Sequence, residues 1–542
     1  MSRQKLSLIL VLIIIFTLIL TGKNFEVQAS ATDGSMGEQE VSPTLEIITP
    51  TPGEITPDPE QVTPTPGEVT PLPTLPVTPS VIPTPTTTPV TPSVAPTKAP
   101  TPTLTPTPTK IPYRSKTLEL MSTYDYVGKS VTGISQKKEP LSVLQNRIKA
   151  YGSLYGSGMP FEEYKKAMNY QWVDATQYDK KPTKVSVSIK DTMDYKTYVN
   201  TLKSLSRYKG VYLYKIGKST LGRDLYAIEI DVASSYKKNV IMMTGQVHGR
   251  EFAGGTFIMK ELVDLVQKAQ TDKKTMDLLK RNKYVAVPII NVDVREGLIY
   301  KASNWTTKGK ELWKAYANGT DGGRNFPGLQ WGQVAKGSVF KSSIATKPGY
   351  ANYAGKYAGS NSETKAMMKW LYHYIIVEKA DRYIDMHQQG SIVYAGKTWQ
   401  TKTQEKRSQQ LRTDVMNILN KGITSRKYTR VYEGGLYGML GEGSSLTDYA
   451  ITLAVGAKFS PAYGFHAFTD GTKEYILLQV KDLDQSKIKF KEANSKFAAI
   501  TLEIGYGREY LGNSAATRRL LSQEYQYYNY AKLLETLPQT IK

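Results

Sequence analysis

The feature that most constrains this chain is a strand, a turn and a helix that follow one another near its middle. Residues 240–243 form an apolar run, Val-Ile-Met-Met, that predicts a buried strand, and Gly245 ends it. The turn that follows carries His248 and Glu251, and residues 257–266 have the apolar spacing of a helix. Open α/β sheets place functional side chains in such turns, beyond the carboxyl ends of their strands. The stretch therefore predicts an α/β fold with its chemistry at one edge of a sheet.

Two later strands carry side chains of the same chemical kind at their ends. Residues 380–386 predict a strand that is followed by His387, and residues 498–504 predict a strand that contains Glu503. The carboxyl ends of parallel strands meet at the same edge of a sheet. If the three strands are parallel neighbours, we expect these two side chains to lie beside the turn of the first stretch.

Two imidazoles and one carboxylate are typical of a catalytic zinc site, in which three protein ligands leave a fourth position open. We therefore expect one zinc ion per chain, bound by His248, Glu251 and His387. The zinc would lower the pKa of its water toward neutrality. Glu503 is placed to take that proton and deliver it to the leaving amine.

The chain has only four histidines, so few other metal sites can be built from imidazoles. His373 lies within the helical pattern of residues 363–377, and His466 follows Gly464 in a predicted loop. We expect both to be packing residues of the helix and of the loop or core.

Six short segments support this interpretation because they occur together and in order. They are His248-Gly-Arg-Glu251, Pro288-Ile-Ile-Asn-Val-Asp293, Gly319-Thr-Asp-Gly-Gly-Arg-Asn-Phe326, Ser362-Glu-Thr-Lys-Ala366, Asp385-Met-His387 and Thr501-Leu-Glu503. The set resembles the zinc metallocarboxypeptidase family, typified by pancreatic carboxypeptidase A, from about Tyr195 to the C-terminal helix. The resemblance implies a zinc peptidase with the three ligands named above and Glu503 as general base and acid.

The resemblance also implies roles for residues around the metal. Asp321 matches the carboxylate that holds the ring of the first histidine ligand. Arg324 matches the arginine that binds a free substrate carboxylate, and Asn325 and Tyr437 are expected to contact substrate as well. Lys314 lies in a Trp-Lys-Ala segment that looks like that of bacterial γ-D-glutamyl-diaminopimelate peptidases of this family. There it is expected to polarise the scissile carbonyl.

One position departs from the family pattern. The family usually has asparagine before this arginine, whereas this chain has Gly323, so a donor is missing and space is expected beside Arg324. Whether cleavage is at a chain end or within a chain stays open for this reason. We expect a secreted zinc-dependent peptidase, first of all a metallocarboxypeptidase. The alternatives are a cell-wall γ-D-glutamyl-diaminopimelate peptidase and a zinc-containing wall- or glycan-binding protein without turnover.

The chain divides into four parts by composition. Residues 1–31 have the basic start, apolar core and small-residue cleavage sites of a secretory signal peptide. Residues 32–112 are a Pro/Thr-rich linker, expected to be extended and disordered. Residues 113–190 are an N-terminal extension that fits a pro-segment, an accessory subdomain or a segment packed on the main domain. Residues 191–540 have the length of one large catalytic domain.

Strands alternate with helices in the last part. This alternation predicts an α/β fold, a single large domain with a mixed, mostly parallel central sheet flanked by helices, as in carboxypeptidases. Residues 291–360 are expected to be a long loop region, and Asn513 or Ser514 is expected to cap a closing helix through Leu534. The predicted helices are 195–205, 254–270, 275–282, 363–377 and 402–421, and the other predicted strands are 211–216, 224–230 and 284–290.

Charge and cysteine content bear on the partners and the environment. The net charge is +22 and cysteine is absent, and the first 112 residues are net acidic, so the basic charge lies beyond them. Such a field attracts nucleic acid, anionic wall polymers or acidic peptides. Secretion and the lack of a nucleic-acid-binding motif argue against nucleic acid.

A secreted chain without cysteine depends on a large core, since it has no disulfides. We expect a peptide substrate with a carboxylate, affinity for anionic cell-wall polymers, and membrane contact only through the signal segment.

Overall fold

A computed structural model describes the chain in twelve segments. These are residues 116–118, 131–134, 158–233, 238–307, 311–329, 331, 347–349, 352–395, 402–430, 444–469, 474–477 and 492–540. The expected signal peptide (1–31), the expected linker (32–112) and Tyr437 lie outside these segments. Within them, no helix is both long enough and apolar enough to cross a bilayer.

The described strands form one ten-stranded sheet and one four-stranded sheet. In chain order they are β1 (Lys116–Leu118), β2 (Val131–Ile134), β3 (Tyr170–Asp174), β4 (Val211–Lys218), β5 (Asp224–Ile230), β6 (Asn239–Gly245), β7 (Asn282–Val287), β8 (Arg382–His387), β9 (Ile392–Ala395), β10 (Thr429–Arg430), β11 (Lys458–Ser460), β12 (Phe465–Thr469), β13 (Glu474–Leu477) and β14 (Ala498–Glu503). The large sheet has the order β1-β3-β4-β5-β7-β6-β8-β14-β9-β10, and the small sheet has the order β11-β12-β13-β2.

The centre of the large sheet consists of the parallel strands β7, β6, β8 and β14. Strands β5, β4, β3 and β1 extend it in antiparallel fashion on one side, and β9 pairs antiparallel with β14 on the other. Every residue of β7, β8 and β14 is buried, because both faces of these strands are covered. The predicted mixed sheet is confirmed, with its parallel strands at the centre.

The register of the central strands brings the expected site together. Thr244 of β6 pairs with Asp385 of β8, which pairs with Thr501 of β14, and two residues further along His387 pairs with Glu503. The three strands therefore end at the same level. This arrangement confirms the expectation that they are parallel neighbours.

The five helices predicted before the closing helix are found with ends within five residues of those predicted, whereas the helix at residues 446–454 was not predicted. The described helices are α1 (Phe161–Met168), α2 (Tyr195–Leu205), α3 (Phe252–Lys268), α4 (Lys273–Arg281), α5 (Val292–Tyr300), α6 (Ser362–Tyr372), α7 (Lys402–Leu419), α8 (Leu446–Ala454), α9 (Ala515–Tyr527) and α10 (Leu533–Thr536). Asp194 caps α2 and Ser514 caps α9 by accepting from a backbone N–H in the first turn. The closing helix ends at Tyr527, earlier than expected, and a separate short helix follows.

The expected long loop at residues 291–360 contains α5, which the sequence analysis missed. Asn291 caps this helix through its side chain, which accepts from the N–H of Val294. The helix lacks a regular apolar stripe because buried polar residues, among them Asp293 and Arg295, take core positions. Such a mixed pattern hides a helix from an analysis based on apolar spacing.

Two of the family-type motifs serve the framework. Glu363 at the start of α6 accepts hydrogen bonds from the N–H and the hydroxyl of Thr220, at 2.8 and 2.9 Å. Asp293 of α5 accepts from the Ser219 hydroxyl, the Leu221 N–H and Arg223. These two buried carboxylates therefore hold the loop between β4 and β5.

The described residues of the extension contribute strands to both sheets, β1 and β3 to the large one and β2 to the small one. Strand β3 pairs with β4, and β1 pairs with β3 at the edge of the sheet. Lys116 of β1 is buried and forms an ion pair with Glu229 of β5 at 2.8 Å. The boundary at residue 191 and the role of this extension stay predictions.

Candidate metal and catalytic site

Two histidines and a glutamate converge beyond the ends of β6 and β8. His248 and Glu251 lie in the turn between β6 and α3, and His387 is the last residue of β8. His248 Nδ1 lies 2.8 Å from one Glu251 oxygen, and His387 Nδ1 lies 3.1 Å from the other. All three residues are buried, and one ligand atom from each lies within 4.8 Å of the others. The structure thus brings together the three residues expected to bind zinc.

The outer nitrogen of each imidazole faces a second carboxylate. His248 Nε2 lies 3.0 Å from Asp321 Oδ1, as the resemblance implied. His387 Nε2 lies 3.0 Å from Asp385 Oδ2, a contact that the sequence analysis missed. The signal was present: residues two apart in a strand point to the same side of the sheet. Such carboxylates orient a metal-binding ring and fix its tautomer.

This arrangement suits a divalent cation. An Nε2 beside a carboxylate carries the ring proton, so the Nδ1 atoms of His248 and His387 present lone pairs. These two atoms are only 3.2 Å apart and share the carboxylate of Glu251. Burial opposes a charge on His387, but Asp385 and Glu251 outweigh it and raise the pKa of the imidazole. A cation would replace the proton that these acids otherwise attract.

The neighbouring strand and helix fix the position of Glu251. This residue directly precedes α3, and one of its oxygens accepts from the backbone N–H of Gln388 at 3.2 Å. The Gln388 side chain accepts from the N–H of Ala253, in the first turn of α3, at 2.7 Å. Although burial opposes ionisation, His248 and His387 lower the pKa of Glu251, so it is a carboxylate at neutral pH. The ligand turn and the end of β8 are therefore held to each other.

Asp321 connects His248 to a lysine and to two loops. Its Oδ1 accepts from His248 and from the N–H of Gly323, and its Oδ2 accepts from Lys314 at 2.9 Å and from the N–H of Asn352. Burial opposes a charge on Asp321, but Lys314 and His248 lower its pKa. The expected role of Lys314 on a scissile carbonyl stays a prediction, since its ammonium contacts this carboxylate here.

Glu503 lies at the same edge of the sheet, beside His387 in the strand register. It is 8% exposed, and its Oε2 contacts no donor among the residues that the structure describes. Burial raises its pKa to about 8, a value that the charge of His387 lowers and that of Glu251 raises. A buried carboxyl that has one oxygen without a hydrogen-bond donor, next to a candidate metal site, can exchange protons there.

Arg324 and Asn325 differ in how much of each side chain is available. Arg324 is partly exposed, and its guanidinium donates to the carbonyl of Gly323 at 2.8 Å. Asn325 is fully buried, and its amide donates to the carbonyls of Ala354 and Tyr357. The expectation that Asn325 contacts substrate is therefore wrong, because its amide already holds a loop.

Gly323 does not leave the space that the sequence analysis expected. A Cβ atom at this position would lie 3.0 Å from His248 Nε2 and 3.3 Å from Asp321 Oδ1. A side chain here would therefore press on the contact that orients the first histidine. A side chain at this position would require His248 or Asp321 to shift by a few tenths of an ångström.

Comparisons with known proteins show which sequences and structures the chain is similar to. A family model described as Zinc carboxypeptidase, Peptidase_M14, matches residues 198–476. The chain is 27% identical to Carboxypeptidase B2 of Bos taurus over 172 residues, which are 32% of this chain and 38% of that protein. It is 26% identical to Inactive metallocarboxypeptidase ecm14 of Sclerotinia sclerotiorum over 169 residues, which are 30% of this chain and 26% of that protein. The match thus spans well under half the length of these curated relatives.

Among solved structures, the chain is similar to bovine thrombin-activatable fibrinolysis inhibitor in complex with tick carboxypeptidase inhibitor. The TM-score is 0.44 and the sequence identity is 17%. The alignment covers 65% of this chain and 99% of the other.

Proposed function

The chain belongs to the zinc carboxypeptidase family, and from that membership we propose that it is a secreted zinc-dependent peptidase. Its substrate would be a peptide with a free carboxylate near the bond that is cut. The main support is that His248, Glu251 and His387 lie together at the edge of the sheet where Glu503 has an oxygen that accepts no hydrogen bond from the described residues.

The roles of the chain's own residues follow from their contacts. Zinc held by the three ligands would supply Lewis acidity, acidifying a water and polarising a carbonyl. Glu503 takes a proton at Oε2, the oxygen that accepts no hydrogen bond from the described residues, and later gives it to the leaving amine. Arg324, with its partly exposed guanidinium, pairs with the substrate carboxylate in a geometry that suits a two-oxygen acceptor. Asp321 and Asp385 keep both imidazoles in the tautomer that presents Nδ1.

Replacing Glu503 with glutamine tests this proposal. The amide has nearly the same shape but cannot accept the proton, so we expect turnover to fall by about 10²–10⁴-fold with zinc retained. The measurement is the turnover of zinc-loaded protein on unmodified peptides, with products identified by mass spectrometry and zinc by atomic emission.

Glu363→Gln is the matched control, since Glu363 is an equally buried glutamate that contacts a framework loop. We expect it to keep turnover within about twofold of the parent. If the two variants are equally active, another residue carries the proton. If the clean, zinc-loaded parent cuts nothing, a binding role without turnover, the alternative named above, is the better description.

A cell-wall substrate is the second candidate. It is supported by Gly323, which provides no second side-chain donor beside Arg324, and by the net charge of +22. Purified peptidoglycan offers both γ-D-glutamyl bonds and an anionic polymer. Release of diaminopimelate-containing fragments from it, with ordinary C-terminal peptides left intact, would favour this candidate. The opposite result would favour an ordinary carboxypeptidase.

A further inference from the structure

The turn that carries two of the three ligands has a conformation that must be held from outside. Gln246, two residues before His248, has a φ of +52°, a backbone conformation that residues other than glycine seldom adopt. It is completely buried. A backbone of this kind persists only where surrounding contacts determine it. The contacts around Gln246 are therefore part of what positions the ligands.

Most of these contacts come from the neighbouring loop and from α5. The N–H of Asn291 donates to the Gln246 carbonyl at 2.9 Å, and the Asn291 amide donates to the Val247 carbonyl at 3.2 Å. The N–H of Gly249 donates to the Lys314 carbonyl at 2.8 Å. These bonds hold the backbone of the turn, but they do not reach the Gln246 side chain.

The Gln246 side chain is held by Arg295 of α5. Its amide oxygen accepts from the Arg295 guanidinium, and its amide nitrogen donates to the Gly249 carbonyl at 3.0 Å. The same guanidinium lies 4.5 Å from the ring centre of Phe252, the residue directly after Glu251. One arginine thus contacts the ligand turn on both sides of His248 and Glu251.

Arg295 is an unusual residue to find at this position. It is 3% exposed, and its other hydrogen bonds go to the carbonyl of Met193 at 3.1 Å and the hydroxyl of Thr256 at 3.4 Å. The acceptors that it contacts within the described segments are thus all neutral. Burying a guanidinium without a carboxylate is costly, which favours a specific role for its forked geometry.

We propose that Arg295 is a positioning residue of the metal site. Through the Gln246 amide and the Phe252 ring, its guanidinium sets the turn that presents His248 and Glu251. The inference rests on zinc being bound by these ligands, as in the proposed function, and not on which peptide is cut. A guanidinium can reach all of these partners at once because its five N–H groups point in fixed directions, which an ammonium cannot reproduce.

The test is zinc affinity, measured by competition with chelators of graded strength at a temperature where every variant is folded. We expect Arg295→Met to weaken zinc binding by about 10–100-fold, the usual effect of losing a residue that orients ligands. Arg295→Lys, which keeps a cation, should recover only a part of this loss. Hydrogen exchange of the peptide covering residues 246–253 should be faster in metal-free Arg295→Met than in the metal-free parent.

Arg382→Met is the matched control. Arg382 is another buried arginine, but it begins β8, five residues before His387 and therefore roughly 16 Å away along the strand. Its loss should leave zinc affinity within about twofold of the parent, whatever it does to thermal stability. An equal loss of affinity in this control would overturn the proposal, because general destabilisation would then explain the effect.

A second variant tests the route through Gln246. Gln246→Met should weaken zinc binding in the same direction, and the double variant with Arg295→Met should be little weaker than either single one, since both remove one linkage. Should Arg295→Met fail to fold, Arg295→Lys and Gln246→Met carry the test alone. Unchanged affinity and exchange in these variants would overturn the role of Arg295. A parent that binds no zinc would instead overturn the proposed function.

Discussion

Gly323 shows how much a single residue decides at this site. A Cβ atom at this position would lie 3.0 Å from His248 Nε2 and 3.3 Å from Asp321 Oδ1, the two atoms that meet at 3.0 Å in the structure. The sequence suggested a lost substrate donor at this position. The structure shows a close approach instead, of the kind that glycine permits.

We predict that Gly323→Ala weakens zinc binding by up to about tenfold, because the ring of His248 or the carboxylate of Asp321 must shift by a few tenths of an ångström to admit the added methyl group. Zinc affinity by chelator competition is the measurement. Gly507→Ala is the control, since a Cβ there would meet only the exposed side chain of Glu509, which can move away. Equal zinc affinity in both variants would contradict this role for Gly323.

At the scale of elements, buried carboxylates join helices to the loop between β4 and β5. Glu363 at the start of α6 contacts Thr220, and Asp293 of α5 contacts Ser219 and Arg223. Burial raises the pKa of Glu363 to about 7; the hydrogen bonds from Thr220 lower it, and the charge of Asp293 adds to the increase. The folded protein therefore holds a proton on Glu363 at pH values where the unfolded chain has lost it.

The sign of the pH effect follows from this difference. The contribution of Glu363 is fully present below the unfolded pKa of 4.5 and is lost as the pH rises through about 7. The free energy of unfolding of the parent should decrease between pH 4.5 and pH 8 as Glu363 loses its proton. We predict that this decrease is about 3 kcal/mol smaller in Glu363→Gln. Denaturant unfolding at both pH values measures it.

Glu162→Gln serves as the control for this experiment, because Glu162 is mostly exposed on α1. Its pH dependence should match that of the parent. If Glu363→Gln and Glu162→Gln depend on pH in the same way, the Glu363 carboxyl is ionised in the folded protein at neutral pH.

On the scale of the whole molecule, the N-terminal extension and the main domain share one sheet and one buried ion cluster. Lys116 contacts Glu229 and Glu378, and Lys283 contacts the same two glutamates. Tyr170 of β3 contacts His373 at 2.6 Å, and the imidazole of His373 reaches Glu378. His373 thus has packing and hydrogen-bond partners in this cluster, as expected. Removing the extension would leave buried acids with fewer cations.

We predict that Lys116→Met lowers the free energy of unfolding by about 3 kcal/mol, because it removes a cation from Glu229, which is completely buried, and from the partly buried Glu378. Denaturant unfolding measures the change. Lys166→Met is the control, since that lysine is exposed, and it should stay within about 0.5 kcal/mol of the parent. If a chain starting at residue 191 folds with the stability of the parent, the extension is separable, as a pro-segment would be.

The sequence alone predicted four residues that the structure places at one edge of the sheet, and most of the main framework. His248, Glu251, His387 and Glu503 were found because each follows or ends a strand, and the apolar pattern of a buried strand is local. Helix α2 was predicted to the residue, since Asp194 and the apolar spacing after it lie within one short segment. Such local patterns can be recognised in the sequence without knowing which elements pack against them.

Which side chains meet between elements could be seen only in the folded chain. Examples are the contacts of Asn325 with its loop, of Lys314 with Asp321 and of Arg295 with the ligand turn. The same holds for the strands of the extension, whose partners lie elsewhere in the chain. In the sequence, a polar residue looks the same whether it holds a loop, orients a metal ligand or contacts a substrate. The choice depends on burial and distance, which exist only once the chain has folded.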